Sequence, residues 1–213
     1  MLQVFLSYST GRLQTDIERG YLAMMPDSVR AEILRFRRWE DRQASLFGKL
    51  LLLHALRCNG QDQGSAILER LEYTETGKPF IRGAGDFNIS HSGGCVALAL
   101  AADGEVGIDV EIIRSIQIAD FSRYLPEIPA LETSDPSLSQ NMFYACWTKK
   151  EAVLKGDGSG LMAPLEQVTL QGDTSLFHER QWHLREIDCG AAYCCHAATS
   201  IHQSCCRIKV VNF

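Results

Sequence analysis

The chain has 213 residues, 46% of them hydrophobic and 22% charged, with a formal net charge of −5. That length suits one large domain or two small ones, and that balance belongs to a globular rather than a disordered protein. The net acidity argues against general nucleic-acid binding. No apolar run approaches a membrane span and no basic-then-apolar signal pattern opens the chain, so a cytoplasmic protein is expected.

The first residues, Met1-Leu-Gln-Val-Phe-Leu-Ser-Tyr8, read as a β-strand. Residues 28–56 carry a mostly apolar stripe of Ile33, Leu34, Phe36, Leu46, Leu50, Leu53 and Leu56, which predicts core-packed helix interrupted by a turn at Trp39–Arg42. Thr76-Gly-Lys-Pro79 is a tight turn that presents Lys78 between Tyr73 and Phe80. In Asp86-Phe-Asn-Ile-Ser-His-Ser-Gly-Gly94, Phe87 and Ile89 read as a short strand. Ser90-His91-Ser92-Gly93 reads as a polar turn whose hydroxyls and imidazole suit an anion. The run Cys95–Ala102 is the next strand.

In Val106-Gly-Ile-Asp-Val-Glu-Ile-Ile113 apolar and acidic residues alternate. A period of two puts Asp109 and Glu111 on one face and Ile108, Val110 and Ile112 on the other. Adjacent carboxylates repel unless a cation lies between them, and Mg²⁺ takes such oxygens together with phosphate and water. A solvated polar strand face is the plainer reading of the same pattern. Ser115–Gln140, with Pro126, Pro129 and Pro136, is a proline-punctuated connection whose apolar residues could face a partner helix or the core.

Residues 143–161 then form an amphipathic helix and a glycine-rich loop. Trp147, Glu151 and Lys155 recur at i, i+4 and i+8 on one face. Glu151 there could be a third metal oxygen or a general base, and Lys155 could meet a phosphate; an ordinary surface ion pair is the competing reading. Gly156-Asp-Gly-Ser-Gly160 ends the helix and is no Walker A loop, since the lysine precedes the glycines. The eight cysteines, with adjacent pairs at Cys194-Cys195 and Cys205-Cys206, read as buried reduced thiols rather than disulfides or a zinc site with His183, His196 and His202.

Taken in order, these segments resemble the 4′-phosphopantetheinyl transferases, in particular the larger Sfp type. Gly107–Glu111 matches the family's Gly-Ile/Val-Asp-Val/Ile-Glu strand. Trp147-Thr-Lys-Lys-Glu-Ala-Val-Leu-Lys155 with Gly156, Gly158 and Gly160 matches its Trp-x-x-Lys-Glu-x-x-x-Lys helix and glycine loop. Gly77–Pro79 and Asn88–Gly93 match its Gly-Lys-Pro and Asn-x-Ser-His-Ser-Gly segments, and Arg35–Gly48 resembles its N-terminal helix.

The resemblance implies an α+β fold, a pseudo-dimer of two similar α/β halves with the active site in the cleft between them. Here that means residues 1–104 for coenzyme A phosphate binding and 105–213 for metal and catalysis. It implies transfer of 4′-phosphopantetheine from coenzyme A to a serine of an acyl or peptidyl carrier protein, releasing adenosine 3′,5′-bisphosphate. Asp109, Glu111 and Glu151 would hold Mg²⁺, with Mn²⁺ the alternative. Glu151 would take the serine proton, directly or through a water, and Lys155 would stabilise the pyrophosphate. Thr76, Gly77, Lys78, Pro79, Asn88, Ser90 and His91 would bind coenzyme A. Arg42, or its neighbours Arg35, Arg37 and Arg38, would assist. The long form implies a monomer. A non-catalytic module that binds coenzyme A or a carrier protein, and a phosphodiesterase, are the competing functions.

Overall fold

A computed structural model of the chain describes residues 1–160 and 163–213. The first part runs β1 (Leu2–Tyr8), α1 (Thr15–Met24), α2 (Asp27–Leu34), α3 (Trp39–Cys58), β2 (Glu72–Tyr73), β3 (Pro79–Phe80), β4 (Asp86–Ser92) and β5 (Cys95–Ala101). There follow β6 (Val106–Ile112), α4 (Ile128–Leu131), α5 (Pro136–Asp157), β7 (Thr169–Gln171), β8 (Thr174–Phe177), β9 (Arg180–Glu186), β10 (Tyr193–Thr199) and β11 (Cys206–Val210). The protein is therefore a mixed α/β fold.

One sheet has the order β11-β1-β5-β4, and the other β6-β10-β9-β8-β7. Every residue of β5 is buried, which requires cover on both sheet faces and explains why Cys95–Ala101 is apolar throughout rather than alternating. On one face Val96, Leu98 and Leu100 join Phe5 and the α3 residues Leu46, Phe47, Leu50 and Leu51 in a single core. On the other, Leu2, Val4, Leu6 and Cys95, Ala97, Ala99, Ala101 meet Val106, Ile108, Val110, Cys195 and Ala197 of the second sheet. Helix α5 covers the far face of that sheet, packing Ala152, Val153 and Leu154 on Trp182, Leu184 and Ala198. The layers run helix, sheet, sheet, helix.

Several boundaries differ from the sequence reading. Helix α3 begins at Trp39, so the interruption after α2 lies at residues 35–38. Leu34 and Phe36 sit at that junction with 50% and 42% of their surface exposed and leave the predicted core stripe. Strand β4 continues through Ser92, so Ser90, His91 and Ser92 are strand residues, and the turn is Gly93-Gly94. Helix α5 starts at Pro136 behind an Asp135 cap whose carboxylate accepts from the backbone N–H groups of Ser137 and Leu138, the usual service for orphan donors. It ends at Asp157 with Gly158 left-handed at φ 78°, as a helix-terminating glycine does. Of the expected segment only its last residue, Leu161, lies outside the described residues. The cysteines divide: Cys95, Cys146, Cys189 and Cys195 are buried, whereas Cys58 and Cys205 are exposed.

The last strand crosses back. β11 pairs parallel with β1, Leu2 opposite Cys206 through Leu6 opposite Val210. Phe213 then packs against Phe47, tilted at 5.4 Å, and edge-on against Tyr21 at 6.2 Å between ring centroids.

Candidate active site

The site is built where an edge of each sheet meets. β4 and β6 run side by side and are tied through side chains: Asp86 Oδ2 accepts from Val106 N at 2.6 Å and Asn88 Oδ1 from Ile108 N at 3.1 Å. Ser90 Oγ accepts from Val110 N at 3.3 Å and Ser92 Oγ from Ile112 N at 3.2 Å. A row of polar side chains at period two thus satisfies the alternate N–H groups that an edge strand leaves open.

Two glycines set the distance between β6 and α5. A Cβ on Gly107 would lie 2.0 Å from Ala152 O and 2.3 Å from Gly156 N, and one on Gly156 would lie 2.6 Å from Trp182 Cζ3. Only hydrogen at both positions lets the helix lie on the strand backbone. Since alternation turns Val106, Ile108 and Val110 between the sheets, Asp109 and Glu111 face the helix. Lys155 then reaches Asp109 Oδ1 at 2.5 Å and Ser90 Oγ at 3.1 Å.

The serines are paired to the acids. Ser90 Oγ donates to Asp109 Oδ1 at 3.0 Å and Ser92 Oγ donates to Glu111 Oε2 at 2.6 Å. Each hydroxyl therefore accepts a backbone N–H and gives its proton to the carboxylate beside it. Ser90 is 5% exposed, so its hydroxyl is directed into this pair rather than to an open anion site. The role of Ser92 was legible only as a coincidence of spacing: Ser90-x-Ser92 repeats the period of Asp109-x-Glu111.

Positive charge is short here. Asp109 is 2% exposed and its Oδ2 is buried with no hydrogen-bond partner among the described residues. Burial pushes Glu111 above the ordinary carboxylate range, opposed by the Ser92 hydrogen bond and reinforced by Asp109. Burial likewise raises Glu151, with Lys155 lowering it and Asp109 and Glu111 raising it. Hard oxygen donors, mutual repulsion and an orphaned carboxylate oxygen are a donor set that suits a divalent cation. Among the described residues, however, no three ligating side chains stand gathered in coordinating positions.

The acids stand between two cavities. One of about 820 Å³ is lined by Glu111 together with Arg38, Trp39, Asp41, His91 and Arg114. Its walls and the Lys155 ammonium lower the pKa of His91, with Asp41 opposing. The other, about 440 Å³, is lined by Glu151 with Arg123, Tyr124, Trp147, Leu154 and Leu165. Sequence reading passes over Arg38 as one arginine among several, and over Trp39 and Arg114 altogether, because cavity lining depends on chain return.

Other expected ligand residues are engaged within the fold. Lys78 Nζ lies 2.6 Å from Asp86 Oδ2 and 2.7 Å from Gly156 O. Thr76 Oγ1 donates to Gly158 O, and a Cβ on Gly160 would stand 2.9 Å from Thr76 O. The Thr76–Pro79 turn, with Gly77 at φ 89°, is thereby docked on the glycine loop that ends α5. Asn88 is spent on Ile108, and Arg42 pairs with Glu18 at 2.9 Å. None of Arg42, Thr76, Gly77, Lys78, Pro79 or Asn88 lines the larger cavity, whereas His91 does. Beneath the site, His196 Nδ1 lies 2.8 Å from Thr148 Oγ1, which itself donates to Tyr144 O at 2.7 Å. The hydroxyl must then accept from the ring, which assigns the proton to Nδ1. Lys150, fully buried, pairs with Glu127 at 2.6 Å and binds α5 to the segment before it.

An acid-rich pocket with one lysine, flanked by a polar cavity and an aromatic one, can hold a cation and a phosphorylated ligand. Comparison with known proteins specifies the class. Residues 17–103 match the N-terminal model of 4′-phosphopantetheinyl transferases, and residues 105–206 the 4′-phosphopantetheinyl transferase superfamily. The transferase AcpT of Salmonella typhimurium is 37% identical over 166 residues, 74% of this chain and 75% of that protein. The transferase Sfp of Bacillus subtilis is 28% identical over 174 residues, covering 80% and 76%. Relatives bearing the same family name in Synechocystis sp. and Haemophilus influenzae are 31% and 36% identical, and the matched stretch spans 63% and 54% of their length. The chain belongs to the 4′-phosphopantetheinyl transferase family.

Proposed function

We propose that this protein transfers 4′-phosphopantetheine from coenzyme A to a serine hydroxyl of an acyl or peptidyl carrier protein. The observation that carries the reading is Lys155 of one motif paired with Asp109 of the other, with Glu111 and Glu151 within electrostatic reach of both, in a family of transferases. The serine oxygen attacks the β-phosphorus of coenzyme A, the bond to adenosine 3′,5′-bisphosphate breaks, and the serine proton passes to Glu151. A carboxylate raised by burial is a better base near neutrality than a solvated one. Mg²⁺ or Mn²⁺, held by Asp109, Glu111 and Glu151, would neutralise the pyrophosphate. Lys155 meets the phosphates, Arg38 and Arg114 face the nucleotide end with His91, and the Trp147-lined cavity receives the pantetheine arm or the incoming serine. In this assignment Ser90 and Ser92 hold the acids. Lys78 and Thr76 hold the glycine loop beside them.

The finer architecture belongs to the same proposal. Each sheet carries one long helix on its outer face, α3 or α5, which supports two similar α/β halves near residues 1–104 and 105–213 with the site between. The Sfp type, a monomeric state and a cytoplasmic location complete the reading; among the described residues no helix is long and apolar enough to cross a membrane.

The test is intact-protein mass spectrometry of a purified apo carrier protein incubated with this protein, coenzyme A and Mg²⁺, with and without EDTA. A gain of about 340 Da, one phosphopantetheine, that disappears with EDTA is expected. Coenzyme A binding with no gain on either acyl or peptidyl carriers would leave a binding module instead.

A further inference from the structure

The acids that would hold a metal are not bare: Lys155 already occupies one of their oxygens. Its ammonium lies 2.5 Å from Asp109 Oδ1 and 3.1 Å from Ser90 Oγ. Asp109 is locked in place, its side chain 3% exposed, its Oδ1 also bonded by Ser90 and its backbone paired with His196 on β10. Lys155 keeps 29% of its side-chain surface and sits in the last turn of α5. Of the two partners, the lysine is the one free to leave. A third carboxylate, Glu151, projects one turn before it, and Asp109 Oδ2 is buried without a hydrogen-bond partner among the described residues.

We propose that Lys155 is an exchangeable counter-ion for this pocket. In the metal-free protein its ammonium neutralises Asp109; a dication displaces it, and the released ammonium swings to the cavity side, where it meets the phosphates of the ligand. The physical basis is charge count. Three carboxylates around one ammonium leave a net negative pocket, whereas a dication supplies twice the charge with oxygen-only coordination and outcompetes the monovalent amine. A single +1 charge held against Asp109 is largely neutralised there and has little left to offer a pyrophosphate. Metal entry and lysine delivery are therefore one event, and metal binds more weakly than three acids alone would dictate, because it must evict the lysine. This rests on the metal reading above, and the experiment separates the two.

Mn²⁺ binding to the intact protein, without coenzyme A, is to be measured by electron paramagnetic resonance for the wild type, Lys155→Met and Lys155→Gln. Gln retains a hydrogen bond to Asp109 without charge and guards against a variant that fails to fold. Removing the competing ammonium should tighten Mn²⁺ about tenfold in both variants. Thermal melting should show a metal-free protein less stable than wild type, with a larger upward shift on adding Mn²⁺. With Mn²⁺ saturating, the same variants should bind coenzyme A at least about tenfold more weakly, because the delivered ammonium is missing. Mn²⁺ affinity that is unchanged or weakened in both variants overturns the exchange. Tightened Mn²⁺ with unaltered coenzyme A affinity overturns the delivery. Failure of the wild type and both variants to bind Mn²⁺ without coenzyme A overturns the exchange, and failure to bind it with coenzyme A present as well overturns the metal reading itself.

Discussion

Asp109 is the residue on which the site turns, because it couples burial, a lysine and an unsatisfied oxygen in one side chain. Asp109→Asn should lower transfer at least about 100-fold, since an amide cannot replace an anionic oxygen toward a cation. The melting temperature should move by less than about 5 °C. Lys155 is partly exposed and can return to solvent, and one of three repelling acids is gone. Transfer at wild-type rates, or an unfolded variant, would contradict the assignment. His196 makes a different prediction. Burial, with Lys149 adding to it, lowers its pKa to about 4. The unfolded chain, with an ordinary value near 6.5, then binds more protons between pH 6.5 and about 4, so stability is complete above pH 6.5 and falls as pH drops through that window. The full span is on the order of 3 kcal/mol. Glu111 and Glu151, raised in the fold, act in the opposite sense. The comparison that isolates the histidine is urea unfolding of wild type and His196→Gln at pH 7.5 and 5. The variant should lose less stability on acidification, and equal losses would remove His196 from the account.

At the scale of elements, α5 and β6 are fitted by absence of side chain. Gly107→Ala would press a methyl onto the Ala152 carbonyl and the Gly156 amide, both backbone atoms that cannot yield without moving the helix. A loss of about 2 kcal/mol or more is expected, together with weaker metal binding, because Glu151 and Lys155 ride on the displaced helix. Gly20→Ala on α1 is the control: a Cβ there meets nothing within 4 Å, and helix propensity favours alanine by about 1 kcal/mol. Denaturant midpoints of the two variants should move in opposite directions, and a neutral Gly107→Ala would mean that the helix is less tightly seated. The same packing gives the glycine-rich segment its meaning. Gly156 lies under Trp182, Gly158 ends the helix, and Gly160 admits Thr76; these glycines serve close contact and helix termination.

For the whole molecule, the order of strands matters more than the order of motifs. β11 shields β1 from being an edge, and Phe213 fills a place against Tyr21 and Phe47 in the core under α3. A chain ending at Ser204 should melt at least about 5 °C lower, by differential scanning fluorimetry, and lose transfer in proportion to the fraction unfolded. An unchanged melting temperature would show that the first sheet closes without its last strand. The two sheets also explain why one polar seam can carry the chemistry. β4 and β6 are outer strands of different sheets, so their junction combines partners from both.

Much of this was legible in the chain. Period two placed Asp109 and Glu111 together on one face, period 3.6 placed Glu151 and Lys155 together on another, and the apolar runs marked β1, β5 and α3. These are local properties, set by backbone geometry and readable without knowing what lies opposite. What lies opposite was the decision of tertiary structure. Ser90 and Ser92 face acids some twenty positions away, and Lys78 faces Asp86 and a helix end rather than a cavity. Leu34 and Phe36 are exposed at a helix junction where their apolarity predicted core. A side chain's chemistry is written in the residue, but its partner is chosen by which strands become neighbours, and that depends on the packing of the whole chain.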